Sequence, residues 1–313
     1  TLLLGMNGEV VDLLSAGSVG SSTSSTVYYG TVLSSQKGAS SSSTSSSSSS
    51  SVQTETQVAC SDGTVRTFYT STGTYSVGRL VTVTVNSSGT TIKSMQSKSL
   101  SGKVSSDGSS FAGYDFADDV EILDTDGEGG YARIYPSRLA GETLQRDDVL
   151  YYTLNSFGEI DCLILSEATG DTYTYVYVTS AETNSSSTSV SGSYEYYQNG
   201  EQYTISGSVI YTAKTGGAAL IYEDEELANI RQLEDITLTD LDALSLTATS
   251  GNRSYDIAED VQVLLRDTNG SRGYYLTTLS EIDSSSYTLK GWYDDFGCSA
   301  GGRIRIIVAT PEE

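Results

Sequence analysis

The chain has no histidine, two prolines and three cysteines among its 313 residues. Histidine is the commonest general base and metal ligand near neutral pH, so its absence excludes a Ser-His-Asp or Cys-His catalytic site. Cys60, Cys162 and Cys298 are too few and too widely spaced for a zinc cluster or a disulfide framework. We predict three small buried or half-buried thiols, with one structural disulfide as the alternative.

Positive charge is also scarce. The chain has 17 Lys and Arg residues against 40 Asp and Glu, which gives a formal charge of −23 and a pI near 4.1. Nucleic acid and anionic membrane surfaces would repel such a chain, so neither is an expected partner. The simplest interpretation is solubility, and the alternative is an acidic site for a cationic partner. The longest apolar runs are too short to span a bilayer, so membrane insertion is not expected.

Tyrosine and glycine are abundant, with 23 and 31 residues. Tyrosine favours strands, and glycine in a chain with little proline favours tight turns between them. The composition therefore predicts an all-β fold with little helix. Residues 136–140 and 276–282 have the pattern of single helical turns, which are too short to change that class.

A repeated stretch organises the chain. Residues 114–123 recur as residues 255–264, 141 positions later, with six of ten residues identical. Asn-Ser-x-Gly turns at 86–89 and 155–158 lie between apolar runs, and an Asn-Gly pair lies at 7–8. Such turns predict β-hairpins because Asn and Gly tolerate positive φ. Weaker hairpin patterns turn at 223–226 and 294–302. We predict tandem small antiparallel β modules, sandwich- or barrel-like, in about four copies of one hairpin block whose neighbours share a core.

The repeats suggest four domains. We place a partial or diverged β module at 1–97, a β module at 98–189, a shorter one at 190–244 and a last one at 245–313. Residues 38–51 are a Ser-rich stretch that includes 12 consecutive Ser and Thr residues, and we predict a flexible loop there because such a run buries nothing apolar. The alternative is an O-glycosylated tract.

An acidic turn is the best candidate for a metal site. Asp124, Asp126 and Glu128 surround a glycine in a pattern that resembles part of a calcium loop, and residues 267–271 repeat it with fewer acids. Neither copy has the distal Glu of a full loop, so the alternative is an ordinary hairpin turn. No other cofactor is expected.

Aromatic residues offer a second candidate site. Tyr173, Tyr175 and Tyr177 alternate along one predicted strand, and with Trp292 they have rings suited to stacking on sugars. In a chain so rich in tyrosine, the alternative is that these rings are core or cross-strand contacts.

Two sets of charged residues are interpreted as structural and not as parts of a site. The acid pairs at 118–119 and 259–260 precede a valine in both copies, and adjacent residues on a strand point to opposite faces, so we predict a turn or capping role. Arg303 and Arg305 alternate with Ile304, Ile306 and Val308, so we predict that both arginines lie on a solvated face. No residue is a candidate for catalysis.

The repeated stretch, the Asn-Ser-x-Gly hairpins, the serine tract and the closing residues 300–308 together resemble a known family. They are similar to the C-terminal β-repeat region of S-layer-homology (SLH) domain-containing surface proteins of Gram-positive Clostridia. The S-layer-homology modules themselves are not recognisable here, so anchoring is not assigned to these residues. The resemblance implies an extracellular, wall-associated protein of a Gram-positive bacterium in which this segment is stalk, lattice or display material.

Three functional hypotheses follow. The first is a non-enzymatic extracellular cell-surface structural or interaction protein, of which this chain is a segment. The second is a carbohydrate-binding adhesin module, and the third is an accessory region of a cell-wall-active enzyme. The expected partners are neighbouring domains of the parent protein and cell-wall or host glycans.

A substitution tests the turn chemistry. Gly158 closes the second Asn-Ser-x-Gly turn, where a left-handed backbone is expected. Gly158→Val should lower the free energy of unfolding by about 1–3 kcal/mol, because a β-branched residue is strained there. Chemical denaturation measures the change, and an unaltered stability would show that Gly158 is not in such a turn.

Overall fold

The computed structural model describes residues 2–4, 10–13, 25–39, 53–71, 73–186, 188–223, 226–268 and 273–312. Within these ranges the chain forms 26 strands, a four-residue helix, α1, at Pro136–Leu139, and two 3-10 turns at Arg146–Asp148 and Leu279–Glu281. The predicted all-β class with little helix is confirmed. The helical turns expected at 136–140 and 276–282 are present as α1 and the second 3-10 turn.

The first sheet follows a short antiparallel hairpin of β1 (Leu2–Leu4) and β2 (Val10–Leu13). The Asn-Gly turn predicted inside that hairpin lies outside the described residues. The sheet has five strands, β3 (Thr26–Ala39), β4 (Gln53–Cys60), β5 (Val65–Thr70), β6 (Leu80–Asn86) and β7 (Gly89–Ser94). Their order is β5-β4-β3-β6-β7, and every pairing is antiparallel.

The second sheet contains a parallel pair. Its strands are β8 (Gly102–Lys103), β9 (Ser110–Phe111), β10 (Tyr114–Thr125), β11 (Tyr131–Ile134), β12 (Thr143–Leu144), β13 (Val149–Leu154) and β14 (Ile160–Ser166). The main order is β11-β10-β14-β13, with β9 paired to β10 and with β8 and β12 forming a small separate pair. Strands β10 and β14 are parallel, whereas β13 and β14 form an antiparallel hairpin.

The third sheet repeats the plan of the first. Its strands are β15 (Thr174–Ser185), β16 (Val190–Gln198), β17 (Glu201–Gly207), β18 (Gly216–Glu223) and β19 (Glu226–Gln232). They lie in the order β17-β16-β15-β18-β19, again all antiparallel. In both sheets the first strand is central, and two strands lie on each side of it.

The fourth sheet repeats the plan of the second. Its strands are β20 (Glu234–Leu238), β21 (Asp240–Asp242), β22 (Thr247–Ser250), β23 (Arg253–Arg266), β24 (Tyr274–Thr277), β25 (Tyr287–Tyr293) and β26 (Ile304–Pro311). The order is β20-β25-β26-β23-β22-β21, with β24 paired to β23. Strands β23 and β26 are parallel, and β25 and β26 are antiparallel.

Two kinds of module therefore alternate along the chain. We call the first and third sheets meander sheets, and the second and fourth bulged sheets. The expectation of four copies of one block is corrected: the 141-residue offset spans one meander sheet plus one bulged sheet. Small modules in tandem are present, as predicted, but neighbours differ in topology.

The repeated sequence forms a β-bulge in both copies. In the second sheet the parallel register passes from Phe116 opposite Ile160 to Glu121 opposite Cys162, so four residues of β10 face one of β14. The fourth sheet shifts in the same way at residues 258–261. The alanine at the start of each bulge is buried, and the acid pairs 118–119 and 259–260 are exposed. The four acidic residues therefore lie where the strand departs from regular pairing. Bulges commonly redirect side chains in this way.

The first tyrosines of the two repeats have matching surroundings. The Tyr114 ring lies 6.4 Å, centroid to centroid, from the ring of Tyr152 on β13. The Tyr255 ring lies 5.3 Å from that of Tyr293 on β25. Strands β13 and β25 occupy the same place in their sheets, next to the parallel strand. The sequence repeat is therefore also a structural repeat.

Sheet membership changes at places that differ in part from the predicted boundaries. The 97/98 boundary falls between the first and second sheets, whereas 189/190 falls between β15 and β16, which pair with each other. The 244/245 boundary likewise falls between the paired strands β21 and β22. Of the Ser-rich stretch 38–51, residues 38 and 39 belong to β3, and 40–51 lie outside the described residues.

The predicted turn chemistry is present at the β13–β14 hairpin. Gly158 has φ +83°, the left-handed conformation expected of it. The Asn155 side-chain oxygen accepts hydrogen bonds from the backbone N–H groups of Phe157 and Glu159, at 2.9 and 3.0 Å. Asn86 pairs with Gly89 in the β6–β7 hairpin, and Glu223 with Glu226 in the β18–β19 hairpin, as predicted.

Neighbouring sheets share apolar contacts. One buried cluster joins Leu80 of the first sheet to Ile164 of the second, and another joins Tyr177 of the third sheet to Trp292 of the fourth. At the second contact Gly217 approaches closely: a Cβ there would lie 2.5 Å from Cβ and 2.6 Å from Cγ of Trp292. The third and fourth sheets therefore pack at a distance that only glycine permits.

This close contact can be tested with a matched pair of substitutions. Gly217→Ala should lower the free energy of unfolding by about 1–3 kcal/mol, because the added methyl overpacks the Trp292 contact. Gly207→Ala on β17 is the control, since nothing lies within 4 Å of a Cβ there and its φ is not left-handed. Urea denaturation of both variants measures the difference. Equal free energies of unfolding for the two variants would contradict the close contact between Gly217 and Trp292.

Candidate functional site

Asp124, the first predicted calcium ligand, is fully buried at the end of β10. Its oxygens accept hydrogen bonds from the backbone N–H groups of Ala168 at 3.2 Å and Thr169 at 2.9 Å, and from the Thr169 hydroxyl at 2.6 Å. These donors belong to the linker 167–173, which joins the second and third sheets. Asp124 therefore holds this linker and does not face solvent.

Asp126 and Glu128 form the turn that follows. One Asp126 carboxyl oxygen accepts from the backbone N–H groups of Glu128 and Gly130, each at 2.8 Å. This is the hairpin-turn alternative raised by the sequence. In the described part of the chain no group of three or more Asp, Glu, Cys or His residues is placed to hold a metal ion. In the second copy, residues 269–271 lie outside the described residues.

The predicted sugar-stacking rings lie mainly in the core between the third and fourth sheets. Tyr175, Tyr177 and Trp292 are each about 95% buried. The Tyr177 and Trp292 rings meet edge to face, 5.1 Å between centroids and at 64°. Their faces are therefore closed to a sugar, in agreement with the core alternative. Tyr173 is half-buried and remains at the edge of a cleft.

The prediction that Arg303 and Arg305 form a solvated face is wrong. The Arg305 side chain is 1% exposed, and Arg303 is half-buried. Ile304, Ile306 and Ile307 are also fully buried, so β26 is covered on both faces. Alternation predicts one wet face only when one side of a sheet is open to water.

Arg305 is the centre of a charged cluster that joins three sheets. Its Nε donates to Asp294 Oδ2 at 2.8 Å, and its Nη2 lies 2.6 Å from Asp171 Oδ1. Nη2 also lies 3.2 Å from the carbonyl oxygen of Thr169. The guanidinium carbon is 4.7 Å from the Tyr175 ring centroid, a cation-π contact.

Asp294 and Arg138 complete the cluster, and we call Arg138, Asp171, Asp294 and Arg305 the arginine hub. The Asp294 side chain is 1% exposed; it accepts from the backbone N–H of Arg303 and lies 2.9 Å from the Tyr175 hydroxyl. Arg138 on α1 pairs with Asp171 at 3.3 Å. Two arginines and two carboxylates are thus held together with little access to water.

The hub also fixes the loop 294–303 onto the second sheet. Arg138 donates to the carbonyl oxygens of Ala300, Thr169 and, at 3.1 Å, Gly301. The Ala300 backbone N–H donates to the Ala168 carbonyl at 2.8 Å. The Ala300 side chain lies in the apolar core of the second sheet. A loop of the fourth sheet therefore contributes to the core of the second.

Burial sets the protonation of this region. It raises the pKa of Asp124 to about 6, even though the hydrogen bonds from Thr169 and Ala168 favour the ionised form. Burial alone would lower the pKa of Arg305, but Tyr175, Asp294 and Asp171 outweigh it and the pKa is raised, so the guanidinium stays charged. Burial, with Asp294 and Asp124 nearby, raises the pKa of the Cys298 thiol to about 11, which makes it a poor nucleophile near pH 7. Cys60, Cys162 and Cys298 are free thiols, buried or half-buried as predicted.

Two clefts adjoin the hub. A cleft of about 400 Å³ lies between the second and fourth sheets, where Arg133, Arg138 and Arg303 line it with acidic residues of the β23 bulge. A second cleft of about 280 Å³ lies between the third and fourth sheets and reaches Arg305.

Comparison of the chain with protein-family models, curated proteins and solved structures finds no match. No helix in the described ranges is long and apolar enough to cross a bilayer.

The raised pKa of Asp124 predicts how the free energy of unfolding depends on pH. Its carboxyl binds a proton more tightly in the folded protein, at a pKa of about 6, than at its ordinary value of 3.8. Stability from this group is therefore highest below pH 4 and falls as the pH rises to about 6. Compared with Asp124→Asn, which cannot titrate, the wild-type free energy of unfolding should fall by about 2–3 kcal/mol between pH 4 and pH 7.

Denaturant titrations at several pH values measure this difference. A wild-type stability that rises with pH relative to Asp124→Asn would contradict the burial argument.

Proposed function

We propose that this chain is a non-enzymatic, extracellular structural or interaction segment of a larger cell-surface protein. In this role it transmits force or fixes spacing between neighbouring domains. The observation that carries the proposal is the arginine hub, because it connects the last strand of the chain to the linker between the second and third sheets. A segment whose sheets are joined in this way resists separation under load.

The burial and pairing of the charged side chains in the hub favour a structural role over a catalytic one. Arg305 and Asp294 are both 1% exposed and form an ion pair with each other, and Asp171 is shared by two arginines. Paired and hydrogen-bonded charges of this kind are fixed in place, whereas catalytic groups need access to a substrate. The same pairs make the relative position of three sheets specific, since a displaced sheet would leave a buried charge unpaired.

The first meander sheet is connected to the second sheet by a similar polar contact. Ser61, directly after β4, donates its hydroxyl to Glu121, which directly follows the bulge of β10. Arg133 Nη1 donates to the Ser61 carbonyl at 2.6 Å. The junction of the first and second sheets and that of the third and fourth sheets therefore both combine apolar packing with directional hydrogen bonds. This is the arrangement expected of a spacer that must keep one geometry.

The surface location and the wall association in this proposal come from the resemblance of the repeats to surface proteins of Gram-positive Clostridia. The strongly acidic charge and the absence of histidine are compatible with a structural display segment. Stalk, lattice and display roles share the requirement tested below, that successive modules unfold together.

Replacement of the hub cation tests the proposal. Arg305→Met keeps most of the side-chain volume but leaves Asp294 buried without its partner. The free energy of unfolding should fall by about 3–5 kcal/mol. Differential scanning calorimetry should show one transition for the second to fourth sheets in the wild type, and separate transitions in the variant.

Lys290→Met provides the control in the same sheet. Its ion pair with Asp235 is about half exposed on both sides, so removal should cost about 0–1 kcal/mol and leave the transition single. The proposal is contradicted if the wild type already melts sheet by sheet, or if Arg305→Met behaves like the control.

A further inference from the structure

The smaller cleft beside the hub is lined by several hydrogen-bonding groups that no described residue uses. It lies where the start of β15 and the β16–β17 turn meet the bulge of β23 and strand β26. Its lining includes Tyr173, Gln198, Asn199, Asp260 and Arg305. At about 280 Å³ it is at the small end of sites for small molecules, which occupy roughly 300–1,000 Å³.

One nitrogen of the buried Arg305 guanidinium has no hydrogen-bond partner. Nε and Nη2 are bound to Asp294, Asp171 and the Thr169 carbonyl, none of which lines this cleft. Nη1 has no acceptor within hydrogen-bond distance in the described structure, and the nearest carboxyl oxygen, of Asp260, is 3.8 Å away. Arg305 lines this cleft and not the larger one, and the partners of Nε and Nη2 do not line it, so Nη1 is on the cleft side of the guanidinium. A buried donor without a partner favours an added acceptor.

Two side-chain amides next to it are also unused. Gln198 and Asn199 end the β16–β17 hairpin, and neither side chain makes a hydrogen bond to another described residue. The turn itself is held by Gln262, whose side-chain oxygen accepts from the Asn199 backbone N–H at 2.7 Å and whose amide donates to the Tyr175 carbonyl at 2.6 Å. The amides of Gln198 and Asn199 are thus positioned without being needed for the fold.

The charges around the cleft select the class of ligand. Arg305 is already neutralised by Asp294 and Asp171, and the Asp260 side chain, 75% exposed, adds a further negative charge. An anion would be repelled, and a cation would meet the buried guanidinium. A neutral group that both donates and accepts hydrogen bonds suits the lining, since guanidinium and amide nitrogens donate and carboxyl and amide oxygens accept. The half-buried Tyr173 ring adds an apolar surface.

We propose that this cleft binds a neutral polyhydroxyl ligand the size of one sugar unit, with Arg305 Nη1, Gln198, Asn199 and Asp260 as its hydrogen-bonding partners. Vicinal hydroxyls pair well with carboxylate, amide and guanidinium groups that lie side by side. The site differs from the aromatic row expected from the sequence, of which only Tyr173 contributes an accessible ring. It goes beyond the structural role proposed above and does not require it.

Ligand-observed saturation-transfer NMR on the full chain tests this site, with glucose, galactose, mannose and N-acetylglucosamine as probes and glucuronate as the charged counterpart. At least one neutral sugar should bind with a Kd of about 1 mM, as expected for a small open cleft. Asn199→Gly and Gln198→Ala should each weaken that binding about tenfold. Glycine at 199 keeps the left-handed φ of +51° and the backbone hydrogen bond to Gln262, so the turn should be preserved.

Gln202→Ala is the matched control, because Gln202 is exposed on the adjacent strand β17 and does not line the cleft; binding should be unchanged. The inference is overturned if none of the four neutral sugars binds, if glucuronate binds more tightly than all of them, or if the two cleft variants bind as the wild type does. All three substitutions lie outside the arginine hub, so failure here leaves the calorimetric test of the structural role unaffected.

Discussion

The buried guanidinium of Arg305 is the constraint on which the arrangement of the second, third and fourth sheets depends. Moving a charge out of water costs several kcal/mol, and the cost is offset only if partners are placed correctly. Asp294 comes from the loop after β25, and Asp171 from the linker before β15. An ion pair of this kind adds little to stability compared with an apolar contact of the same size. It does make the assembled geometry specific, because every alternative leaves a charge unpaired.

The alternation of unlike sheets explains the long repeat and its junctions. In both sheet pairs, the polar contact between a meander sheet and the bulged sheet that follows it is made at matching positions. Ser61 after β4 donates to Glu121, and Asn199 after β16 donates to Gln262. Glu121 and Gln262 follow the bulge in their respective strands. The unit of the array is therefore a pair of sheets, which accords with the principle that repeat modules are stabilised by their neighbours.

Much of the local structure could be predicted from sequence, because turns and hairpins depend on nearby residues. The Asn155 to Gly158 turn and the all-β class follow from turn chemistry and composition. The two topologies could not be predicted, since the meander sheets share strand order without an obvious common sequence. The boundary 98–189 places β15 with the preceding module, whereas its partners β16 and β18 come later in the chain.

The charged site was missed for a related reason. Asp124 was interpreted as part of a local turn, but its partner Thr169 is 45 residues away. Alternation places Arg305 in water because it assumes one open face, and the consecutive apolar residues 306–309 are the available sign of a strand covered on both faces. Long-range contacts of this kind depend on how sheets stack, which a single sequence does not display.

Native-state hydrogen exchange measures most directly whether the three sheets form one cooperative unit. If they do, the slowest amides of β14, β15 and β26 should exchange with the same opening free energy and the same denaturant dependence, because all three open only in global unfolding. Opening free energies that differ by more than about 2 kcal/mol between the three strands, with separate denaturant dependences, would show that the sheets unfold independently and would contradict the account.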